Sequence, residues 1–237
     1  MIDWKAVVLA AQRSSAAYIE DAAKAQAAFE ALGDKFIGMT SGVDYQAALT
    51  QDAAGATHLT ISGTRAAQGD LVDVFDDADL IPAHLRVGTV TVGVNSGQVK
   101  LWNWVLKTAD PKAVINVAGH SLGGARAQLA LAYLPASRLG QIVSLAAPKY
   151  IQADFFKTYA DELWRLTCVL NGADGWASWP WRNLLWDDRP PVDHVWLKDD
   201  NGGYVMIAGD KWPGGLVFAD HDLSKYTSRL ERIAQTQ

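Results

Sequence analysis

The sequence predicts an α/β fold: a mostly parallel central sheet with helices on both faces and antiparallel strands at its edges. Three observations carry this. Between about residues 96 and 170, short apolar runs of strand length alternate with helical runs, the order that builds parallel sheets through crossover connections. On either side of that stretch, pairs of strand-like segments are joined by turn signals. The chain has 237 residues, 49% of them apolar, enough for one full core, so a single domain over residues 1–237 is expected.

Taken in order, Asp3 is a candidate N-cap for a long helix from about Trp4 to Leu32, closed by Gly33, with Val7, Ala11, Tyr18, Ala22, Phe29 and Leu32 at helical spacing. Strands are predicted around 35–39 and 45–50, with Ser41-Gly42 as the turn, and at 57–62, ending at Gly63-Thr64. The segment from Arg65 to Leu85 is less regular and holds five aspartates among apolar residues. A helix over 96–108, a strand over 113–118 and a helix over 125–134 come next. A strand at 141–145, a helix near 153–162 and a strand at 163–170 complete the alternating stretch. A loop-rich segment runs from Asn171 to Pro191. Two antiparallel strands, 194–198 and 204–207, meet at Asp199-Asp200-Asn201-Gly202-Gly203, a hairpin signal, and a helix closes the chain from Asp222 to about Ile233.

Bulk properties exclude several classes of function. The net charge is −5, with no cluster of lysine or arginine, which argues against a nucleic-acid partner and against charge-driven binding to anionic membranes. Apolar docking stays open. Cys168 is the single cysteine, so no intrachain disulfide can form; it lies in an apolar run and reads as a buried thiol. No zinc-ligand spacing is present, and neither a metal nor an organic cofactor is expected. No apolar run is long enough to span a bilayer, and the first residues lack the pattern of a signal peptide. A soluble protein is expected, cytoplasmic or released without such a signal, unless a leader has been removed.

The most informative stretch is Gly119-His120-Ser121-Leu122-Gly123-Gly124, between a predicted strand and a predicted helix. Strand, tight turn and helix form the context in which G-x-S-x-G acts as a nucleophile elbow, with glycines where strand and helix pass too closely for side chains. A serine nucleophile needs a histidine base, a carboxylate and an oxyanion hole, and in such sheets the order along the chain is serine, carboxylate, histidine. Asp174 lies just past a predicted parallel strand, at the sheet edge where strand ends converge. His221 and His194 both follow it. His221 stands in a loop directly before a helix, free to reach the serine, whereas His194 lies in a predicted strand and reads as packing on the sheet; His221 is taken as the base. His58 and His84 precede the serine and fit the order badly, and His120 reads as structural. The oxyanion donors are the backbone N–H of Leu122 and Thr64, after Gly63, through its N–H or hydroxyl.

Together, Gly63-Thr64 after a strand, Gly119 to Gly124, the segment from Arg165 to Pro180 containing Asp174, and Asp220-His221 resemble the class 3 (fungal-type) lipase family. The resemblance runs in order over most of the chain. It implies the α/β-hydrolase fold, hydrolysis of carboxylic esters, often at lipid surfaces, and the triad Ser121, Asp174 and His221 with Thr64 and Leu122 as oxyanion hole. Two departures stand out: Ser62 occupies the place of the family's arginine before Gly63, and Gly88 and Gly93 both compete for the family's glycine upstream of the middle helix.

The resemblance makes 65–79 a candidate lid, with Leu71, Val72, Val74 and Phe75 as its apolar side; an ordinary surface loop is the alternative. Trp176, Trp179, Trp181 and Trp186 crowd the loop after Asp174, either bracing it or walling an acyl chain. The expected function is a serine carboxylic ester hydrolase acting through an acyl-enzyme on acylglycerol or other fatty-acyl esters, with a lipid or small-molecule ester as its partner. Phospholipase, polyester hydrolase or acyltransferase chemistry on the same site is the alternative, as is an inactive hydrolase used as a binding module.

Overall fold

The computed structural model describes residues 2–42, 45–64, 80–181, 185–198 and 200–237. An eight-stranded sheet runs through the molecule in the order β1-β2-β3-β6-β7-β8-β9-β10. Its strands are β1 (Lys35–Ser41), β2 (Gln46–Gln51), β3 (Thr57–Ile61), β6 (Ile115–His120), β7 (Leu139–Leu145), β8 (Leu166–Asn171), β9 (Asp193–Leu197) and β10 (Tyr204–Ala208). The middle five, β3, β6, β7, β8 and β9, are mutually parallel, and β2, β1 and β10 run antiparallel at the two edges. This is the predicted architecture. All five parallel strands end on one side of the sheet, so the loops after β3, β6 and β8 meet there.

The sheet is covered on both faces because its strands present apolar residues to both. On one face lie α1 (Trp4–Ala16) and the C-terminal helix α8 (Leu223–Thr236), which bury Val7, Ala11, Tyr226, Leu230 and Ile233 against Ala118, Val143, Val169 and Val195. On the other lie α4 (Gln98–Thr108) and α5 (Leu122–Gln128), with Leu101, Trp102, Val105 and Ala125 against Leu59, Ile61, Ile115 and Val117. Short helices α3 (Val92–Asn95), α6 (Ala130–Tyr133) and α7 (Ala153–Thr158) fill the connections on that side. Cys168 packs within the same core, and burial pushes its thiol up to about 12. Among the described residues, no helix is long and apolar enough to cross a membrane.

Several elements differ from the sequence expectation, two of them through long-range contacts. The long first helix is two: α1 ends at Ala16, and α2 (Ala22–Ala31) begins after an Asp21 N-cap that accepts from Lys24 N–H at 2.9 Å. Between them the freed carbonyls of Ala17 and Ile19 accept from the Gln46 side chain of β2 at 2.8 and 2.7 Å, a long-range cap that no local pattern announces. A hairpin, β4 (Pro82–Leu85) with β5 (Gly88–Thr91), starts at the end of the segment expected to be irregular and runs beyond it. It is held by Asp154 at the start of α7, whose carboxylate accepts from Thr89 N–H (3.0 Å) and hydroxyl (2.8 Å). The strand expected from 163 starts only at Leu166, because residues 160–165 form a 3-10 turn after α7. The candidate lid at 65–79 lies outside the described residues.

His194 occupies β9 and is buried on the sheet, as its strand position implied, with its Nδ1 2.8 Å from the Val192 carbonyl. Burial, helped by the positive charge of Arg189, lowers its pKa to about 4.

Two predictions follow from the packing. At Gly123, a Cβ would lie 2.6 Å from the Ser62 carbonyl oxygen and nearer still to that of Ile61, both backbone atoms. Gly123→Ala is therefore expected to destabilise the fold by about 1–3 kcal/mol or more, read as a lower urea midpoint. His194 is held below its unfolded pKa, so between pH ~6.5 and ~4 the unfolded chain takes up a proton that the folded chain refuses. Stability should decrease as the pH is lowered through that window, by up to ~1.4 kcal/mol per unit from this group. His194→Gln should make the measured slope of unfolding free energy against pH shallower there.

Candidate active site

The site begins with the turn between β6 and α5. Strand and helix approach so closely that Cβ atoms at Gly119, Gly123 and Gly124 would each strike backbone: Gly119 against Gly123, Gly123 against Ile61 and Ser62, Gly124 against Leu145. Ser121 makes the reversal with φ 61° and ψ −131°, a backbone that side-chain-bearing residues rarely adopt, and its N–H is tied to the Leu145 carbonyl at 3.0 Å. The turn presents the serine hydroxyl at the sheet edge.

His221 Nε2 lies 2.9 Å from Ser121 Oγ, and its Nδ1 lies 3.0 and 2.9 Å from the two Asp174 carboxylate oxygens. All three side chains are buried. The predicted Ser121, His221 and Asp174 are thus one hydrogen-bonded chain, although in sequence 100 residues separate Ser121 from His221 and 47 separate His221 from Asp174. Asp174 also accepts from the N–H groups of Trp176 (2.9 Å) and Ala177 (3.0 Å), and from the hydroxyl of Tyr226 (2.7 Å). Four donors therefore surround a carboxylate with no exposure, the condition under which a buried charge is tolerable. Burial, together with the negative charge of Asp174, pushes the Tyr226 hydroxyl well above its usual range, so it stays a donor.

The loops carrying Asp174 and His221 are stitched to each other. Val217 N–H donates to the Ala173 carbonyl at 2.9 Å, and Asp174 and Val217 form a parallel bridge. Asp220, one residue before the histidine, accepts from Ala173 N–H at 3.0 Å, and the Asn171 amide donates to the Asp220 carbonyl at 2.7 Å.

Thr64 lines the same cavity of about 340 Å³ as Ser121 and His221, together with Tyr18, Trp176 and Phe218. Gly63 before it is packed under the turn, where a Cβ would come within 2.8 Å of Ser121 Cβ. Leu122 opens α5 directly after the serine, so its N–H belongs to the first helical turn, which has no intrahelical acceptor. Ser62, in the place of the family's arginine, is fully buried, with its N–H on the Gln46 carbonyl at 2.8 Å. Gly93 stands in α3, directly after β5, with its carbonyl accepting from buried Arg126, while Gly88 opens β5, paired with Leu85 across the hairpin turn.

The tryptophan loop is braced from within, and one of its rings lines the cavity. Trp181 braces it, donating from its indole N–H to the Gly175 carbonyl at 2.8 Å. Trp176 lines the cavity and packs on Phe218, ring centroids 4.8 Å apart, and Trp181 meets both rings at 5.7 Å. Trp186 is buried, with its N–H on the Leu80 carbonyl. Beside the cavity, Leu216, Val217 and Phe218 are 63, 47 and 43% exposed, an apolar rim next to Trp181.

The other histidines have partners elsewhere. His58 lies between Asp52 and Arg13, His84 against Thr89, and His194 against Val192. His120 is different: its Nε2 lies 2.9 Å from the His221 carbonyl and its Nδ1 lies 2.9 Å from the Tyr18 hydroxyl. Burial and the neighbouring His221 lower its pKa to about 3, so the ring is neutral. Sequence reasoning found neither Tyr18 nor Tyr226 as part of the site, since a tyrosine at helical spacing in the sequence carries the same signal as any core aromatic. Among the described residues, no group of three or more His, Cys, Asp or Glu is arranged to hold a metal ion.

The family model for lipase (class 3) matches residues 65–182, about half of the chain. No curated protein sequence matches. Among solved structures, the chain is similar to a Rhizomucor miehei lipase–propeptide complex, with TM-score 0.70 and 16% identity over 94% of this chain and 81% of that one. It is also similar to lipase II from Rhizopus niveus, with TM-score 0.63 and 18% identity over 82% of each chain. A triacylglycerol lipase from Penicillium expansum aligns with TM-score 0.61 and 16% identity over 95% of this chain and 96% of that one. At these identities the structures establish the fold, that of the α/β-hydrolases. With the elbow at Ser121 inside the matched segment and that fold around it, the chain belongs to the class 3 lipase family.

Proposed function

We infer that the protein is a serine carboxylic ester hydrolase whose nucleophile is Ser121, with His221 as base and Asp174 as its orienting carboxylate. The observation that carries this is the continuous chain of hydrogen bonds from Ser121 Oγ through His221 to Asp174, opening into a cavity with aromatic walls. In the proposed reaction His221 Nε2 accepts the Ser121 proton as the oxygen attacks the ester carbonyl. The N–H groups of Leu122 and Thr64 receive the developing oxyanion. The alcohol leaves with the proton from His221, and water, activated by the same ring, hydrolyses the acyl-enzyme. Asp174 keeps the proton of the resting imidazole on Nδ1 and stabilises the imidazolium that forms.

Fatty-acyl esters are the proposed substrates. Trp176 and Phe218 give the cavity apolar walls for an acyl chain, and the exposed Leu216, Val217 and Phe218 offer a surface that a lipid–water interface would bury. The negative net charge leaves that docking to apolar contact.

The test is hydrolysis of p-nitrophenyl esters from acetate to palmitate, with and without dispersed lipid. Activity should extend to long chains and rise with the interface, and Ser121→Ala should lower kcat by ~10⁴-fold or more without loss of fold. Equal hydrolysis by Ser121→Ala would remove the assignment. Fluorophosphonate should add a single mass increment, located at Ser121. Leu216→Asp places a charge on the rim outside the reacting groups. It should reduce turnover of dispersed long-chain ester several-fold while leaving hydrolysis of soluble acetate ester within about twofold.

A further inference from the structure

Resting on the reading of Ser121 and His221 above, we propose that Tyr18 is a positioning residue for the reaction, its hydroxyl holding the oxyanion-donor strand end and the base in one register. Tyr18 stands in the turn between α1 and α2, far in sequence from both. Its hydroxyl nevertheless reaches the cavity that Ser121, Thr64 and His221 line.

The direction of each hydrogen bond is fixed by chemistry. The His221 carbonyl can only accept, so His120 Nε2, 2.9 Å away, carries the proton. The ring is neutral in its buried setting, which leaves Nδ1 bare. The Tyr18 hydroxyl, 2.9 Å from that nitrogen, must donate to it. Burial holds the phenol protonated throughout the ordinary pH range, so the donor is permanent. The tyrosine oxygen also packs against Gly63, so closely that any side chain there would collide with it.

One hydroxyl therefore touches the residue that precedes Thr64 and, through one imidazole, the backbone of His221. The His120 ring adds contact, with its centroid 4.7 Å from that of His221. Removing the oxygen leaves His120 Nδ1 without its donor and frees both the peptide before Thr64 and the backbone of the base. Both groups matter most when charge develops on the carbonyl oxygen, so the loss falls on the transition state rather than on ester binding.

The experiment uses Tyr18→Phe, His120→Gln and the double variant, with sites titrated by fluorophosphonate so that rates refer to competent enzyme. For p-nitrophenyl butyrate, Tyr18→Phe should lower kcat by about 10- to 100-fold with KM within about twofold. Inhibition by an alkyl trifluoromethyl ketone, which forms a tetrahedral adduct with the serine, should weaken by the same factor as kcat/KM. The double variant should be no slower than the slower single one, since the two residues act as one unit. If Tyr18→Phe folds poorly, His120→Gln carries the same kcat and inhibitor test. An unchanged kcat per titrated site, a loss confined to KM, or additive effects in the double variant would overturn the proposal. Ser121→Ala separates the two levels. If it turns over like the wild type, both readings fall. If wild-type activity needs Ser121 and Tyr18→Phe matches it, only the role of Tyr18 falls.

Discussion

The close approach of backbones around Ser121 is the constraint on which the rest of the structure depends. The end of β3, the end of β6 and the start of α5 meet with no room for side chains at Gly63, Gly119 and Gly123, and Gly124 rests on β7 in the same way. That approach forces the reversal into a single residue, and Ser121 takes it at positive φ. Such a conformation costs on the order of 1–3 kcal/mol and persists only where its surroundings over-determine it. Here they do: its N–H is bonded to β7, and the glycines are wedged between neighbouring carbonyls. The same contact brings Gly63, and therefore Thr64, beside the serine. One packing requirement thus turns the serine toward the cavity and places the strand end beside it.

The second determinant is the burial of Asp174. Taking a carboxylate out of water costs several kcal/mol unless donors replace the lost hydration. The donors come from its own loop (Trp176, Ala177), from the turn before α8 (His221) and from within α8 (Tyr226). Meeting that requirement draws the two loops together. At Gly215 a Cβ would come within 2.6 Å of the Ala173 carbonyl oxygen, and Gly175 leaves room for the Phe218 ring. His221 is consequently held on both sides, by Asp174 at its Nδ1 and by His120 at its own carbonyl. The aromatic walls follow from the same geometry, since Trp176 and Phe218 sit on the two loops that the carboxylate joins.

The sequence by itself determined the layered α/β architecture, the parallel centre with antiparallel edges, and the elbow. These are legible because they rest on local signals: apolar periodicity, turn residues and glycines flanking a serine between strand and helix. That Asp174 and His221 would meet Ser121 was legible for a related reason, since chain order and the convergence of strand ends restrict which side chains can reach the elbow. Tertiary contacts decided the rest. The break between α1 and α2 depends on the Gln46 side chain, which caps carbonyls almost thirty residues away. The β4–β5 hairpin depends on Asp154, which is farther still. Tyr18, His120 and Tyr226 acquire their places in the site only through hydrogen bonds spanning between 52 and 102 residues. A propensity or a motif reports on neighbours along the chain. Which buried hydroxyl meets which imidazole or carboxylate is fixed only when the two faces of the sheet are packed, and no local pattern carries that information.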